Sequence, residues 1–207
     1  AVAWVLTHRD ELTADDVVPR PEDVFQERLY CIRWAKTVTR NGKPKLERRY
    51  AAPDAADMAR EAQVLTLLRE RFADWQSEGF IPTKAIPESG AETDRLFRER
   101  GWTHWHHLFT PRQLLTYGCY LSQGAIATSK EARVALLLKL GVQANWNSKL
   151  CIWNADKSKG PGSTEQTFAN QALNTLFNFG TRSYGLLQES LIKDFTYSST
   201  PTVQKDT

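Results

Sequence analysis

Apolar positions fall into helical spacing through most of the chain. Between 54 and 78, Met58, Leu65, Leu68, Phe72 and Trp75 recur three, four and seven apart, which predicts one amphipathic helix with these side chains turned to a core. Asp54 or Asp57 is placed to cap it. Gly79 supplies the left-handed residue that ends helices, and Pro82 and Pro87 block continuation. Thr110-Pro111-Arg112-Gln113 marks a second start: a Thr cap, Pro at the first helical position and Gln closing a capping box. Leu114, Leu115, Tyr117 and Leu121 form the apolar side of that helix. A third is predicted from about 129 to 144, capped by Thr128 or Ser129, with Val134, Leu137, Leu138 and Leu140 inward. Beyond a Trp-rich turn over 145–153 and the small-residue loop 158–162, another begins at Ser163 or Thr164 and turns Phe168, Ala172, Leu176 and Phe179 inward. A last helix is expected near 184–193, and 196–203, rich in Thr and Ser with Tyr197 and Val203, reads as a strand.

One stretch has a period of two instead. Tyr30, Ile32 and Trp34 alternate with Cys31 and Arg33, and Asn41-Gly42 tolerates the positive φ of a tight turn, so 29–53 is predicted as a β-hairpin. Pro44 cannot donate to a ladder, which makes the return strand an edge or irregular near its start. Around the turn Arg40, Lys43, Lys45, Arg48 and Arg49 meet only Glu47. Such charge either guards an open sheet edge against aggregation or, through Arg48 and Arg49, contacts phosphate. Residues 1–28, with Asp15, Asp16, Glu22 and Asp23 around Pro19 and Pro21, are expected to be an irregular connector, and the polar segment 89–100 suits a surface loop. The expected organisation is a connector over 1–28, a hairpin over 29–53, a helical domain over 54–195 and an outgoing strand over 196–207. The fold class is mainly α with a small β-ribbon.

Composition narrows the class without choosing a function. At 41% hydrophobic and 25% charged residues, the 207-residue chain is an ordinary globular sequence, not a disordered, collagen-like or coiled-coil one. The net charge of +3 is too even to argue for nucleic acid, so any such case rests on clustering. The best apolar run, Val134 to Leu140, is short and holds Lys139, so a soluble, cytoplasmic protein without a membrane span is expected. Cys31, Cys119 and Cys151 are odd in number, far apart and outside any CxxC pair, which points to reduced thiols and not to disulfides or a zinc ribbon. The opening Ala1-Val2-Ala3-Trp4 has neither an initiator Met nor a basic leader, and reads as an excerpt of a longer chain.

Candidate chemistry is sparse. His104, His106 and His107 offer ligand-type side chains, but two are adjacent and no HExxH spacing is present. With Trp102 and Trp105 interleaved, they read as a packed aromatic and histidine connector before the Thr110 cap. Cys119 or Cys151 with a distant His is a conceivable nucleophile pair for which the sequence supplies no geometry. Neither GxGxxG, a Walker loop nor GxSxG occurs.

Three ordered stretches are more specific. They are Arg100-Gly101-Trp102 with Trp105 and Leu108-Phe109-Thr110-Pro111-Arg112-Gln113-Leu114-Leu115; then Asn147-Ser148-Lys149-Leu150-Cys151-Ile152-Trp153-Asn154; then Thr167-Phe168-Ala169-Asn170-Gln171-Ala172-Leu173. In this order the chain, from about Leu29 onward, resembles the large prokaryotic adenine-specific DNA methylases associated with anti-phage and modification gene clusters. The resemblance implies a Rossmann-like methyltransferase that binds S-adenosylmethionine through a Gly-rich motif and holds adenine with an Asp-Pro-Pro-Tyr motif. Neither motif, nor the family's zinc ribbon, occurs here. It therefore places this chain as the helical insert region between those motifs, with Thr196 to Thr207 leading toward the catalytic strand, and no catalytic, cofactor or metal residue is expected in it.

Methylating adenine requires the base to leave the duplex, so an insert that grips double-stranded DNA or covers the flipped base is the expected role. Arg112 and Gln113, at the start of a helix where backbone N–H groups also favour phosphate, are DNA-binding candidates, as are Asn147, Lys149 and Trp153. Each has a structural reading too: Gln113 closes the capping box while Arg112 pairs with a carboxylate, Asn147 to Lys149 form a turn bonded to its own backbone, and Trp153 anchors a core. The alternative from another class is a protein-interaction scaffold of a phage-defence complex, which binds other defence proteins by adding strands to the ribbon edge.

Overall fold

Asn41 and Gly42 take φ of 52° and 72°, and this left-handed pair folds β1 (Ile32–Arg40) back on β2 (Lys43–Ala51) in strict antiparallel register, Ile32 opposite Ala51 and Arg40 opposite Lys43. Pro44 sits opposite Thr39 in this two-stranded sheet, where both strands are edges. The computed structural model describes residues 13–18, 28–90, 93–126, 129–151, 153–154 and 163–169. They form a mixed α+β fold of four α-helices and the antiparallel ribbon, with a 3-10 turn at Ala14–Val17, another at Trp105–Leu108, and a short pair of strands, β3 (Trp153–Asn154) and β4 (Ser163–Thr164). The predicted helix over 184–193, the strand over 196–203, and Ala172, Leu176 and Phe179 lie outside the described residues.

The helices are α1 (Ala55–Ser77), α2 (Asp94–Arg100), α3 (Pro111–Ala125) and α4 (Lys130–Asn145). Asp54 caps α1 in a reciprocal box with Asp57, and Gly79 follows its end at φ 78°. Its inward stripe is Val64, Leu68, Phe72 and Trp75, with Asp57 at the start; Met58, expected inward, is exposed and Leu65 is half-buried. Leu68, Phe72 and Trp75 meet Ile81 and Leu114 of the neighbouring elements, and Ala14 and Val17 complete that core. Gly118 is the close-approach point of α1 and α3, since a Cβ there would lie 2.2 Å from the Trp75 ring. A second core gathers Ile86, Leu96, Trp102, Leu108 and Leu150, a third gathers Tyr117, Tyr120 and Leu140, and Phe109 packs against all three.

The structure departs from the sequence expectations at several points. Residues 14–17 are not loose connector: Ala14, Asp16 and Val17 are buried. The polar stretch 89–100 holds α2, ended by Gly101 at φ 64°. On α4, Val134, Leu137 and Leu138 are exposed, whereas Leu140 and Gln143 are buried; apolar and polar residues are intermixed around the helix, so spacing could not say which side faces α3. Ser163 and Thr164 lie in β4 instead of capping a helix, and Phe168 is exposed.

Candidate functional site

Three groups of residues were candidates for chemistry, and the structure separates them into two interior networks and one surface. The first interior network begins at the α3 cap. The Thr110 hydroxyl accepts the Gln113 N–H at 3.2 Å and the Gln113 Oε1 accepts the Thr110 N–H at 2.9 Å. Gln113 Nε2 then donates to Asn147 Oδ1 at 3.2 Å, and the Tyr117 hydroxyl donates to the Asn147 carbonyl oxygen at 3.3 Å. Lys149 donates its backbone N–H to the Leu108 carbonyl at 2.7 Å and its Nζ to the Val17 carbonyl at 3.0 Å, with the ammonium 5.9 Å from the Trp102 ring centroid. Gln113, Asn147 and Lys149 are thus brought together, but inside, where no duplex reaches them. Arg112 is partly exposed and its Nε donates to Glu61 Oε1 of α1 at 2.7 Å. Trp153 lies in β3, with Thr164 as its strand partner.

The second network lies over 104–108, which is held by an exchange with the strand-like 84–86: Ile86 N–H to Thr103 O at 2.8 Å and Trp105 N–H to Lys84 O at 3.2 Å. The turn directs His106 and His107, both essentially without exposure, toward buried Asp16 of the 13–18 segment. Their Nε2 atoms stand 3.7 and 3.8 Å from Asp16 Oδ2, which also accepts the Thr13 N–H at 3.1 Å. His106 Nδ1 contacts the Pro82 carbonyl oxygen at 3.1 Å and therefore carries a proton. His107 Nδ1 accepts N–H groups from Thr103 at 3.1 Å and His104 at 3.3 Å, so its neutral ring carries the proton on Nε2. Burial pushes the His107 imidazole down to about 4, with Asp16 opposing that shift and His106 and Lys149 adding to it. Burial raises the Asp16 carboxyl, but the facing imidazoles and the Thr13 amide outweigh it and hold it well below the ordinary carboxylate range.

These three side chains are the one group of potential metal-ligating residues clustered among the described residues. Of the two imidazoles, one is arranged as a ligand would be. Ligating imidazoles donate their second ring N–H to an acceptor, as His106 does to Pro82; His107 has two donors at that position instead. Asp16 was missed in sequence because its partners are remote, although Thr13-x-x-Asp16 is itself a capping-box pattern.

The thiols do not form a nucleophile pair in this arrangement. Burial pushes the Cys119 thiol up, and Cys151 is wholly buried against Ser148 and Thr167 hydroxyls at 3.4 and 3.6 Å.

The surface is the ribbon. Cross-strand partners share a face, so Trp34, Lys36, Val38 and Arg40 project with Arg49, Glu47, Lys45 and Lys43. That face carries five cations against one carboxylate, and the carboxylate, Glu47, is taken by Arg40. Arg33, Leu46, Arg48 and Tyr50 occupy the opposite face, so Arg48 and Arg49 point apart. No ribbon position is fully buried, and Trp34 is 44% and Tyr50 53% exposed. Comparison with protein-family models, with curated proteins and with solved structures finds no match for this chain.

Proposed function

We propose that this chain is the DNA-gripping segment of an S-adenosylmethionine-dependent, adenine-specific DNA methyltransferase, a helical insert to its Rossmann-like domain, and that it holds double-stranded DNA while the target base is turned out. The observation that carries the grip is the basic ribbon face: Lys36, Lys43, Lys45 and Arg49 stand beside one another with Trp34 on a surface that buries nothing else. A two-stranded ribbon fits the major groove, and side chains two apart on a strand, roughly 6–7 Å, can follow successive phosphates. An isolated hairpin is marginally stable in water, so a nucleic-acid partner would also order this one. Turning adenine out costs a few kcal/mol of unstacking, which firm backbone contacts beside the site help to offset. The grip is thereby assigned to the ribbon, Arg49 foremost, and not to the buried Gln113, Asn147 and Lys149.

The test is fluorescence anisotropy of a labelled 25-base-pair duplex with the 207-residue chain at low salt. Wild type binds, and the Lys45→Glu, Arg49→Glu double variant loses at least tenfold in affinity with an unchanged circular dichroism spectrum. Equal binding by the two would overturn the reading.

A second reading, a scaffold that binds other proteins of a phage-defence complex, is favoured by one observation. Val134, Leu137, Leu138 and Val142 line one side of α4 and are about half exposed or more. On that reading a Leu137→Glu, Leu138→Glu variant loses a defence-complex partner while retaining the ribbon's affinity for DNA.

A further inference from the structure

One side of α4 is packed and another is bare. Leu140 meets Tyr117 and Tyr120 of α3, with Leu136 and Ala144 against the same core, whereas Val134, Leu137, Leu138 and Val142 are turned outward. At helical spacing these four and Gly141 share one stripe, and Lys139 lies on a different side. A Cβ at Gly141 would meet nothing within 4 Å, so the middle of the stripe is open. With no charge between 134 and 142, the stripe offers phosphate nothing, and the DNA-gripping reading does not use it.

The last described residues return to this same helix. The Thr167 N–H donates to the Asn145 carbonyl at 2.7 Å, and the Thr167 hydroxyl donates to the Asn145 and Ala144 carbonyls at 2.9 and 3.3 Å, filling acceptors that the end of α4 leaves open. Phe168 is exposed beside that anchor, and the Ala169 N–H donates to the Gln166 carbonyl at 3.1 Å, a turn of the kind that opens helices. The sequence from here is amphipathic at helical spacing: Phe168, Ala172, Leu176 and Phe179 fall on one side, Asn170, Asn174 and Asn178 on the other, and Gly180 follows as a stop. No charged residue stands between Glu165 and Arg182.

We propose that segment 168–179 docks as an antiparallel helix on the outer stripe of α4, with Phe168 beside Asn145, Ala172 over Gly141, Leu176 against Leu138 and Phe179 beside Val134. Direction follows from the anchor, because a chain tied to the C-terminal end of α4 covers that helix by running back along it. Length agrees: 168 to 179 and 134 to 145 each span about 16 Å of helix. The register sets the small residues Ala172 and Gly141 at the closest approach and larger ones on either side, and two uncharged surfaces meet without stranding an ion. The tether selects this occupant over a second copy or another protein, since a short linker holds the segment at an effective concentration on the order of millimolar.

Disulfide trapping in the 207-residue chain tests the docking and its register. Gly141→Cys combined with Ala172→Cys should oxidise to an intrachain bond, located by peptide mass spectrometry, at least fivefold faster than Gly141→Cys combined with Asn174→Cys, which turns the thiol to the far side of the segment. Equal rates, or no bond in either pair, would overturn the proposal. Disulfide-linked dimers as the main product would also overturn it, because a second copy would then be the occupant. Amide hydrogen exchange supplies the measurement without new cysteines: the 172–179 amides of the wild type should exchange at least tenfold more slowly than those of Leu138→Glu, a change at an exposed position. Wild-type amides exchanging at the intrinsic rate, or protection that Leu138→Glu leaves intact, would contradict the docking.

Discussion

Lys149 reaches across 132 residues of chain to give its ammonium proton to the Val17 carbonyl oxygen at 3.0 Å. The same side chain lies over Trp102 and is 6% exposed, so it belongs to the scaffold that seats the 13–18 segment. Lys149→Ala removes a buried hydrogen bond and opens a cavity, and should lower the unfolding free energy by about 2–4 kcal/mol in urea denaturation. The affinity of the folded variant for duplex DNA should change by less than twofold; a tenfold loss would return Lys149 to the DNA interface.

The α1–α3 contact depends on the missing side chain at Gly118. A methyl group there would overlap the Trp75 ring, whose nearest carbons lie 2.2 Å from the Cβ position, and the ring is boxed in by Leu68, Phe72 and Leu114. Gly118→Ala should cost about 1–3 kcal/mol or more through overpacking despite its better helix propensity. A thermal melt at or above the wild-type midpoint would show that the two helices can separate freely.

Arg112 and Gln113 are neighbours with unequal roles. Arg112 pairs with Glu61 across a partly exposed surface, and solvent limits such a pair to about 0–1 kcal/mol. Gln113 has no exposure and serves both the Thr110 cap and Asn147. Gln113→Ala should therefore destabilise by about 2–3 kcal/mol, well beyond Arg112→Ala, in paired chemical denaturation curves.

Thiol chemistry ranks the three cysteines by access. Cys151 is wholly buried and the half-buried Cys119 thiol is held in its protonated form by burial, so a disulfide-exchange reagent at pH 8 should modify half-buried Cys31 first and Cys151 only on unfolding. Fast modification of Cys151 in the folded chain would revive a nucleophilic role.

What was legible in the sequence was local. The Thr110 to Gln113 box, the Asn41-Gly42 turn and the Gly79 stop each draw on residues a few positions apart, and each forms as spelled. The facing of α4 was not legible, because Val134, Leu137, Leu138 and Leu140 give it apolar residues on several sides and only its contact with Tyr117 and Tyr120 chooses Leu140. Pairings across the chain left no trace either: Glu61 with Arg112, Lys149 with Val17 and Asp16 with His107 join segments that nothing in spacing relates. Among the DNA candidates, residue type suggested Gln113, Asn147 and Lys149, but in the fold Gln113 bonds Asn147 and Lys149 bonds the Val17 carbonyl, all three in the interior. The exposed alternation of the ribbon, by contrast, was readable, and there register alone separates Arg49 from Arg48.

The central claim is that the basic ribbon face neutralises DNA phosphates, and the salt dependence of binding measures it most directly. With Arg40 engaged by Glu47, the face offers Lys36, Lys43, Lys45 and Arg49, so log Kd for a duplex plotted against log salt between 50 and 200 mM should have a slope of about 3–4. Replacing Lys45 and Arg49 by Ala should reduce that slope by about 2. A slope near zero, or one that the double replacement leaves unchanged, would contradict the account.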